Sequence, residues 1–289
     1  MKNMIRAAVI PSAGMGTRLL PATKQQPKEM LPVFVKGSHG LVFLKPVIQL
    51  VFERLYDAGL RKFFFVVGKG KRSMEDQFTL DNGFMDHLRR LEKRQLIKEM
   101  EQFYSRVRDS SIVFINQPEP LGFGDAVLRA KAFTNRDPFI VHAGDDLIIS
   151  RNLGYFSRLM RAFEIYRADA VFCVQKVRDP TKYGVVECES IGPGIYRVKH
   201  VEEKPRHPKS RIAIIALYAF NEKIYHYIEK AREPDGHELE LTDAIEELVK
   251  DGGKVYAVEL NSHETRIDIG TPESYWNALE ATMKQPTSP

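Results

Sequence analysis

The chain has 289 residues, 43% of them hydrophobic, with 43 Lys and Arg against 38 Asp and Glu and a formal net charge of +5. This is the composition of a globular protein long enough to bury a large core as one domain or two. It excludes a spanning helix, because no apolar run approaches ~20 residues, and the N-terminus lacks the features of a secretory signal, so a cytoplasmic location with no membrane partner is expected.

The first element in chain order is the apolar run Ile5 to Ile10, which reads as a buried strand. Residues 33–42 contain Lys36-Gly37-Ser38-His39-Gly40, a flexible turn or short insertion. A helix follows from Pro46 to Ala58 and ends at Gly59; Phe63 to Gly68 is the next strand. Strand, helix, strand is a βαβ unit, and such units build parallel sheets. Residues 71–108 read as helical with a break at Asp81-Asn82-Gly83. Then come a strand at Ile112 to Ile115, a helix from Ala126 to Phe133, a short strand at Phe139 to Val141, a helix from Arg151 to Arg167 and a strand from Ala170 to Val177. Beyond this the style changes. Short strands at Gly184 to Cys188, Ile195 to Val198 and Ile212 to Phe220 suggest a mixed sheet. Asn221 to Ala231 and Thr242 to Lys250 are helical, Lys254 to Glu259 is a strand, and a final helix spans Pro272 to Met283 before a fraying tail, Gln285 to Pro289.

Charge alone permits nucleic-acid binding, but the main basic cluster, Arg89-Arg90-x-Glu92-Lys93-Arg94, is broken by acids and lies among apolar residues at helical spacing. It reads as a solvated helix face, and no nucleic-acid partner is expected. Cys173 and Cys188 have no CxxC or Cys/His company and read as reduced, packed thiols.

The stretch with most chemistry is Ala8 to Pro32. Its strand opens into a loop with Gly14, Gly16, Thr17, Arg18, Lys24 and Lys28. Glycines let backbone N–H groups approach a ligand, and Arg18 and Lys28 add fixed positive charge, which together make a polyphosphate cradle. A dinucleotide fingerprint needs Gly or Ala where Leu19 stands and a helix that Pro21 interrupts; a P-loop needs a Gly-Lys-Ser/Thr that is missing. Ligands of open parallel sheets bind beyond the carboxyl ends of strands. Four further places fit that rule or the mixed region: Gln117 to Gly122, Gly144-Asp145-Asp146, Gly184 with Glu203-Lys204, and Arg266 to Pro272. Taken singly, each also reads as an ordinary turn, cap or solvated strand end.

Taken whole, Gly14-x-Gly16-Thr17-Arg18-Leu19-x-Pro21-x-Thr23 with Pro27-Lys28-Glu29-Met30-Leu31-Pro32 resembles the signature of sugar-phosphate nucleotidyltransferases, most closely the bacterial and archaeal UTP–glucose-1-phosphate uridylyltransferase branch. The resemblance runs from Ala8 to Gly270 and includes Leu241-Thr242-Asp243-Ala244-Ile245. It implies an α/β fold, Rossmann-like and three-layered, with a mixed, mostly parallel central sheet. One domain is expected over 1–289, with a nucleotide-binding half (1–150), a sugar-binding half (151–271) and a C-terminal helix and tail (272–289).

The implied reaction is uridylyl transfer from UTP to glucose 1-phosphate. By resemblance, Arg18 and Lys28 are catalytic, Ala13, Gly14, Gly16 and Thr17 hold the nucleotide's phosphates, and Gln117 and Gly122 take the base. Gly184, Glu203 and Lys204 take the sugar phosphate, and Asp145 and Asp268 share Mg²⁺. A homo-oligomer is expected. Two departures leave room for other readings. Ala216-Leu217 stands where the uridylyl branch more often has Gly-Arg, which leaves the sugar open, and His142-Ala143-Gly144-Asp145-Asp146 is nearer the wording of thymidylyltransferases, which leaves a dTTP-using enzyme open; a non-catalytic nucleotide-sugar sensor on the same fold is a separate alternative. Lys28 is read as an exposed loop lysine whose loss leaves the fold intact.

Overall fold

The computed structural model of the chain describes residues 5–37, 41–134, 136–150, 152–232 and 238–284. The turn expected at 38–40, the helix start at Arg151 and the tail at 285–289 lie outside the described residues. Thirteen strands are found among them: β1 (Ala7–Ser12), β2 (Pro32–Lys36), β3 (Val42–Pro46), β4 (Lys62–Val67), β5 (Ser111–Asn116), β6 (Phe139–His142), β7 (Asp146–Ile149), β8 (Ala170–Lys176), β9 (Gly184–Gly192), β10 (Ile195–Glu203), β11 (Ile212–Phe220), β12 (Val255–Glu259) and β13 (Thr265–Asp268).

Nine of these form one sheet in the order β5-β4-β1-β6-β11-β8-β12-β10-β9. Strands β5, β4, β1 and β6 run parallel, as does the pair β8–β12, while β11 and β10 oppose their neighbours. The sheet is therefore mixed, as the sequence implies, with parallel and antiparallel neighbour pairings in equal number along this order. Strands β1, β4, β6, β8 and β11 are near-continuous apolar runs because both faces are covered. On β1, Ala8 and Ile10 join one core with Phe63, Phe65, Val171 and the helices Val47–Asp57, Arg94–Arg108 and Gly154–Ile165. Ala7 and Val9 face the other way, into a second core with Phe64, Phe139, Phe172 and the helices Phe123–Arg129, Ile224–Lys230 and Leu241–Lys250. Side chains alternate along a strand, so one apolar run feeds two cores and makes three layers. Each buried Phe adds about 1.5–3 kcal/mol.

The structure corrects several sequence-based boundaries. Residues 71–108 hold three helices, Arg72–Gln77, Asn82–Arg90 and Arg94–Arg108, because the chain also breaks at Glu92, whose φ is 54°. The helix expected from Ala126 to Phe133 is two, Phe123–Arg129 and Lys131–Thr134. The segment read as a turn or insertion is flanked by a hairpin: β2 and β3 pair antiparallel and rest on the helix Pro272–Met283, where Tyr275 donates to Pro32 O at 2.8 Å. Arg89 of the basic cluster pairs with Asp86 at 2.7 Å and Glu101 at 3.2 Å, which is a solvated face. Both cysteines are free. No helix among the described residues is long and apolar enough to cross a membrane.

Two features of this topology build a site. The chain leaves β1 to one side for β4 and β5, then returns to the other side with β6, so the carboxyl ends of β1 and β6 lie next to each other at a switch point. The short strands β7 and β13 pair antiparallel, setting Asp268 opposite Asp146.

Candidate active site

Beyond Ser12 the chain makes three single-turn 3₁₀ segments, Thr17–Leu19, Ala22–Lys24 and Lys28–Met30. Gly16, at φ 64°, allows the reversal into the first, and Thr23 Oγ1 donates to Gly16 O at 2.7 Å to close it. The loop is anchored beneath by a buried ion pair: Lys71 Nζ contacts Glu29 Oε2 at 2.9 Å and also donates to Ser12 O. Across the switch point, Gly144 N–H donates to Pro11 O at 3.1 Å, and Ile269 N–H donates to Asp145 O at 3.1 Å. The ends of β1, β6 and β13 are thereby tied at one place.

A cleft of about 370 Å³ opens there, within the range of small-molecule sites. Ala13, Gly14, Gly16, Thr17, Arg18, Lys28, Gln117, Gly122 and Asp145 all line it. Phe123 and Glu240 belong both to its wall and to that of an adjoining cavity, which Gly184 and Glu203 line. Lys28 and Asp145, 117 residues apart in sequence, form an ion pair with side chains only 18% and 15% exposed. This corrects the reading of Lys28 as an exposed loop lysine, since the loop folds it inward onto a carboxylate.

The electrostatics follow from this packing. Burial works against the Lys28 ammonium, but the charges of Asp145 and Glu29 and the hydrogen bond to Asp145 hold it well above lysine's ordinary range. Burial alone would raise the Asp145 carboxyl; Lys28 outweighs it and holds that group below the usual carboxylate value. Asp268 lies near Arg266 and Lys28, but their charges are outweighed. Burial, and then the charge of Asp145, push it up to about 6. Asp145 lines the cleft, and Asp268, close enough to feel its charge, is not among the lining residues. No cluster of three or more His, Cys, Asp and Glu suited to a metal exists among the described residues. Two carboxylates beside a phosphate cradle are the donor set of a hard cation completed by phosphate oxygens and water.

Gln117 is 3% exposed, and both of its amide N–H groups are engaged, with Gly122 O at 3.2 Å and Asp125 Oδ2 at 2.8 Å. Its carbonyl oxygen is what remains for a ligand. At Gly184 a side chain would come within 2.7 Å of Thr242 Cγ2 and 3.0 Å of Glu203 Oε2, so the cavity's own walls demand glycine there. Lys204 lines neither cavity; its Nζ is held by Glu203 Oε1 at 2.7 Å and Glu240 Oε1 at 3.3 Å. Its backbone is left-handed, at φ 41°, a conformation that costs a non-glycine residue about 1–3 kcal/mol.

Sequence reasoning assigned no role to three participants. Glu29 sits inside the quoted motif, but its buried partner Lys71 is 42 residues away. Glu240 enters the site because Leu239 pairs with the turn at 121–124, Leu239 N–H donating to Leu121 O at 2.9 Å. Arg266 lines the second cavity, and period-two alternation with Asp268 was the available signal.

Residues 7–285 match the nucleotidyl transferase family model. The chain belongs to this family. It is 35% identical over 294 residues to a UTP–glucose-1-phosphate uridylyltransferase of Streptococcus pneumoniae, across 99% of this chain and 93% of that protein. It is 36% identical over 254 residues to one of Bacillus subtilis, across 86% and 81%. Among solved structures, this nucleotidyltransferase superposes on a UTP-bound UDP-glucose pyrophosphorylase of Acinetobacter baumannii with a TM-score of 0.84 at 29% identity, over 99% of this chain and 96% of that one. A UDP-glucose pyrophosphorylase complexed with UDP-glucose gives 0.82 at 28%, over 98% and 100%.

Proposed function

We propose that this chain transfers the uridylyl group of UTP to glucose 1-phosphate, forming UDP-glucose and releasing pyrophosphate. The observation that carries the reading is the Lys28–Asp145 ion pair in the wall of the cleft beyond the glycine loop, with Asp268 set beside Asp146 by the β7–β13 ladder. The relatives named for this reaction cover nearly the whole chain.

The nucleophile is a phosphate oxygen of the sugar 1-phosphate, already anionic at neutral pH, so no general base is required. Catalysis is positioning and charge neutralisation. Lys28 neutralises the α-phosphate, and the Gly14 to Thr17 amides with Arg18 hold the β- and γ-phosphates. The attacking oxygen bonds to the α-phosphorus as the bond to the bridging oxygen breaks and pyrophosphate departs. Asp145 and Asp268 would hold Mg²⁺, which when bound supplies further neutralisation and polarises the α-phosphate. Gln117, with its N–H groups spent on Gly122 and Asp125, offers an acceptor to the imide N–H of uracil; cytosine has an acceptor at that position and is disfavoured. One catalytic domain does this, residues 1–150 holding the nucleotide and 151–271 the sugar.

Pyrophosphate release is to be measured with Mg²⁺ for UTP, dTTP, ATP, CTP and GTP against glucose, galactose and mannose 1-phosphates. UTP with glucose 1-phosphate is expected to be the fastest pair. Release from none of the pairs would overturn the catalytic reading, and a dTTP preference would reassign the base.

A further inference from the structure

Gln117 follows β5 directly and lines the cleft, where an amide side chain can offer a ligand either its oxygen or its N–H groups. Its protein neighbours choose between the two. Both are acceptors: Gly122 O at 3.2 Å, which also takes the Ala126 amide at 3.3 Å, and Asp125 Oδ2 at 2.8 Å. A carboxylate has no proton to give, so turning the amide over would set the Gln117 oxygen against a carboxylate and a carbonyl at once. Asp125 is itself fixed. It stands third in the helix Phe123–Arg129 and is 2% exposed. One turn on, Arg129 donates to its Oδ2 through Nε at 3.1 Å and to its Oδ1 through Nη2 at 3.4 Å. A buried carboxylate needs such a partner to stay charged. Asp125 does not line the cleft, so it acts on a ligand only through Gln117.

Pyrimidines differ at the ring position that an outward oxygen addresses: the imide N–H of uracil donates, whereas the ring nitrogen of cytosine accepts. We propose that Asp125, held by Arg129, is a positioning residue that sets nucleotide specificity, fixing the Gln117 amide with its oxygen outward so that uracil is accepted and cytosine refused. This rests on the reading above in which Gln117 meets the base. Asparagine at this position removes the constraint. It can accept from Arg129 with its oxygen, turn its own N–H toward Gln117, and so let the Gln117 amide present N–H to the base.

The test is calorimetric titration of UTP and CTP, which share ribose and phosphates, into the protein with Mg²⁺ and without sugar phosphate. The wild type is expected to bind UTP at least tenfold more tightly than CTP. Asp125→Asn should cut that preference at least fivefold, with UTP weakened and CTP strengthened. Arg129→Met, made on a side chain 34% exposed, unanchors the carboxylate and should cut the preference at least threefold; where Asp125→Asn fails to fold, this variant decides. A wild-type preference below threefold, a preference cut less than twofold in the variants, or equal weakening of both nucleotides, the mark of a merely structural role, would each overturn the assignment. Turnover is read separately. A wild-type protein that discriminates through Asp125 but releases no pyrophosphate sinks the catalytic reading and leaves the Asp125 assignment standing.

Discussion

Replacing Lys28 with methionine removes an ammonium while keeping most of the side chain's volume. What remains is the Asp145 carboxylate at the cleft wall, 15% exposed and without its counter-charge. Breaking a fully buried pair from one side costs about 3–5 kcal/mol. Solvent reaches the rim of this one, which brings the expected loss to about 2 kcal/mol. The carboxyl, now held low by Lys28, climbs once that charge is gone and partly relieves the loss by taking a proton. Urea unfolding and pyrophosphate release are the two assays. Lys28→Met should lose about 2 kcal/mol in stability and roughly 10²–10³ in turnover, the scale of a lost transition-state charge partner. Adding Asp145→Asn should restore most of the stability, because no buried charge is then unpaired, and none of the turnover. Turnover of Lys28→Met within tenfold of the wild type, or a double variant no more stable than the single one, would refute the argument.

Lys71 and Glu29 make a more deeply buried pair, with side chains 8% and 2% exposed, so Lys71→Met should cost about 3–5 kcal/mol, and Glu29→Gln in the same chain should recover much of it. Denaturant midpoints of the two single variants and the double check this; additive losses would argue against coupling. His142 is buried, and desolvation above all depresses it to about 4. Its neutral form is built into the fold, while the unfolded chain protonates near 6.5. Its stabilisation is therefore complete above pH 6.5 and is lost as pH falls toward 4, at up to about 1.4 kcal/mol per unit and roughly 3 kcal/mol in all. His142→Gln should flatten the stability curve between pH 6.5 and 5 relative to the wild type, and parallel curves would dispose of the claim.

Much of this protein is written locally. Ala7 to Ser12 is apolar on both faces, so it had to be an interior strand, and Gly14, Gly16, Arg18 and Lys28 beyond it carry the chemistry of a phosphate cradle in their own side chains and backbone freedom. The βαβ order predicts the parallel half of the sheet for the same reason: hydrophobic period and helix caps act over a few residues. What those signals do not reach is pairing between distant segments. Strands β7 and β13 have four residues each and nothing in either names the other, yet their ladder sets Asp268 opposite Asp146, next to Asp145. Nothing near Lys28 in the chain predicts that it turns inward onto a carboxylate 117 residues away, nor anything near Lys204 that it pairs with Glu240, 36 residues on. Those outcomes depend on which backbone groups meet across distant strands and loops, and only the assembled fold sets that.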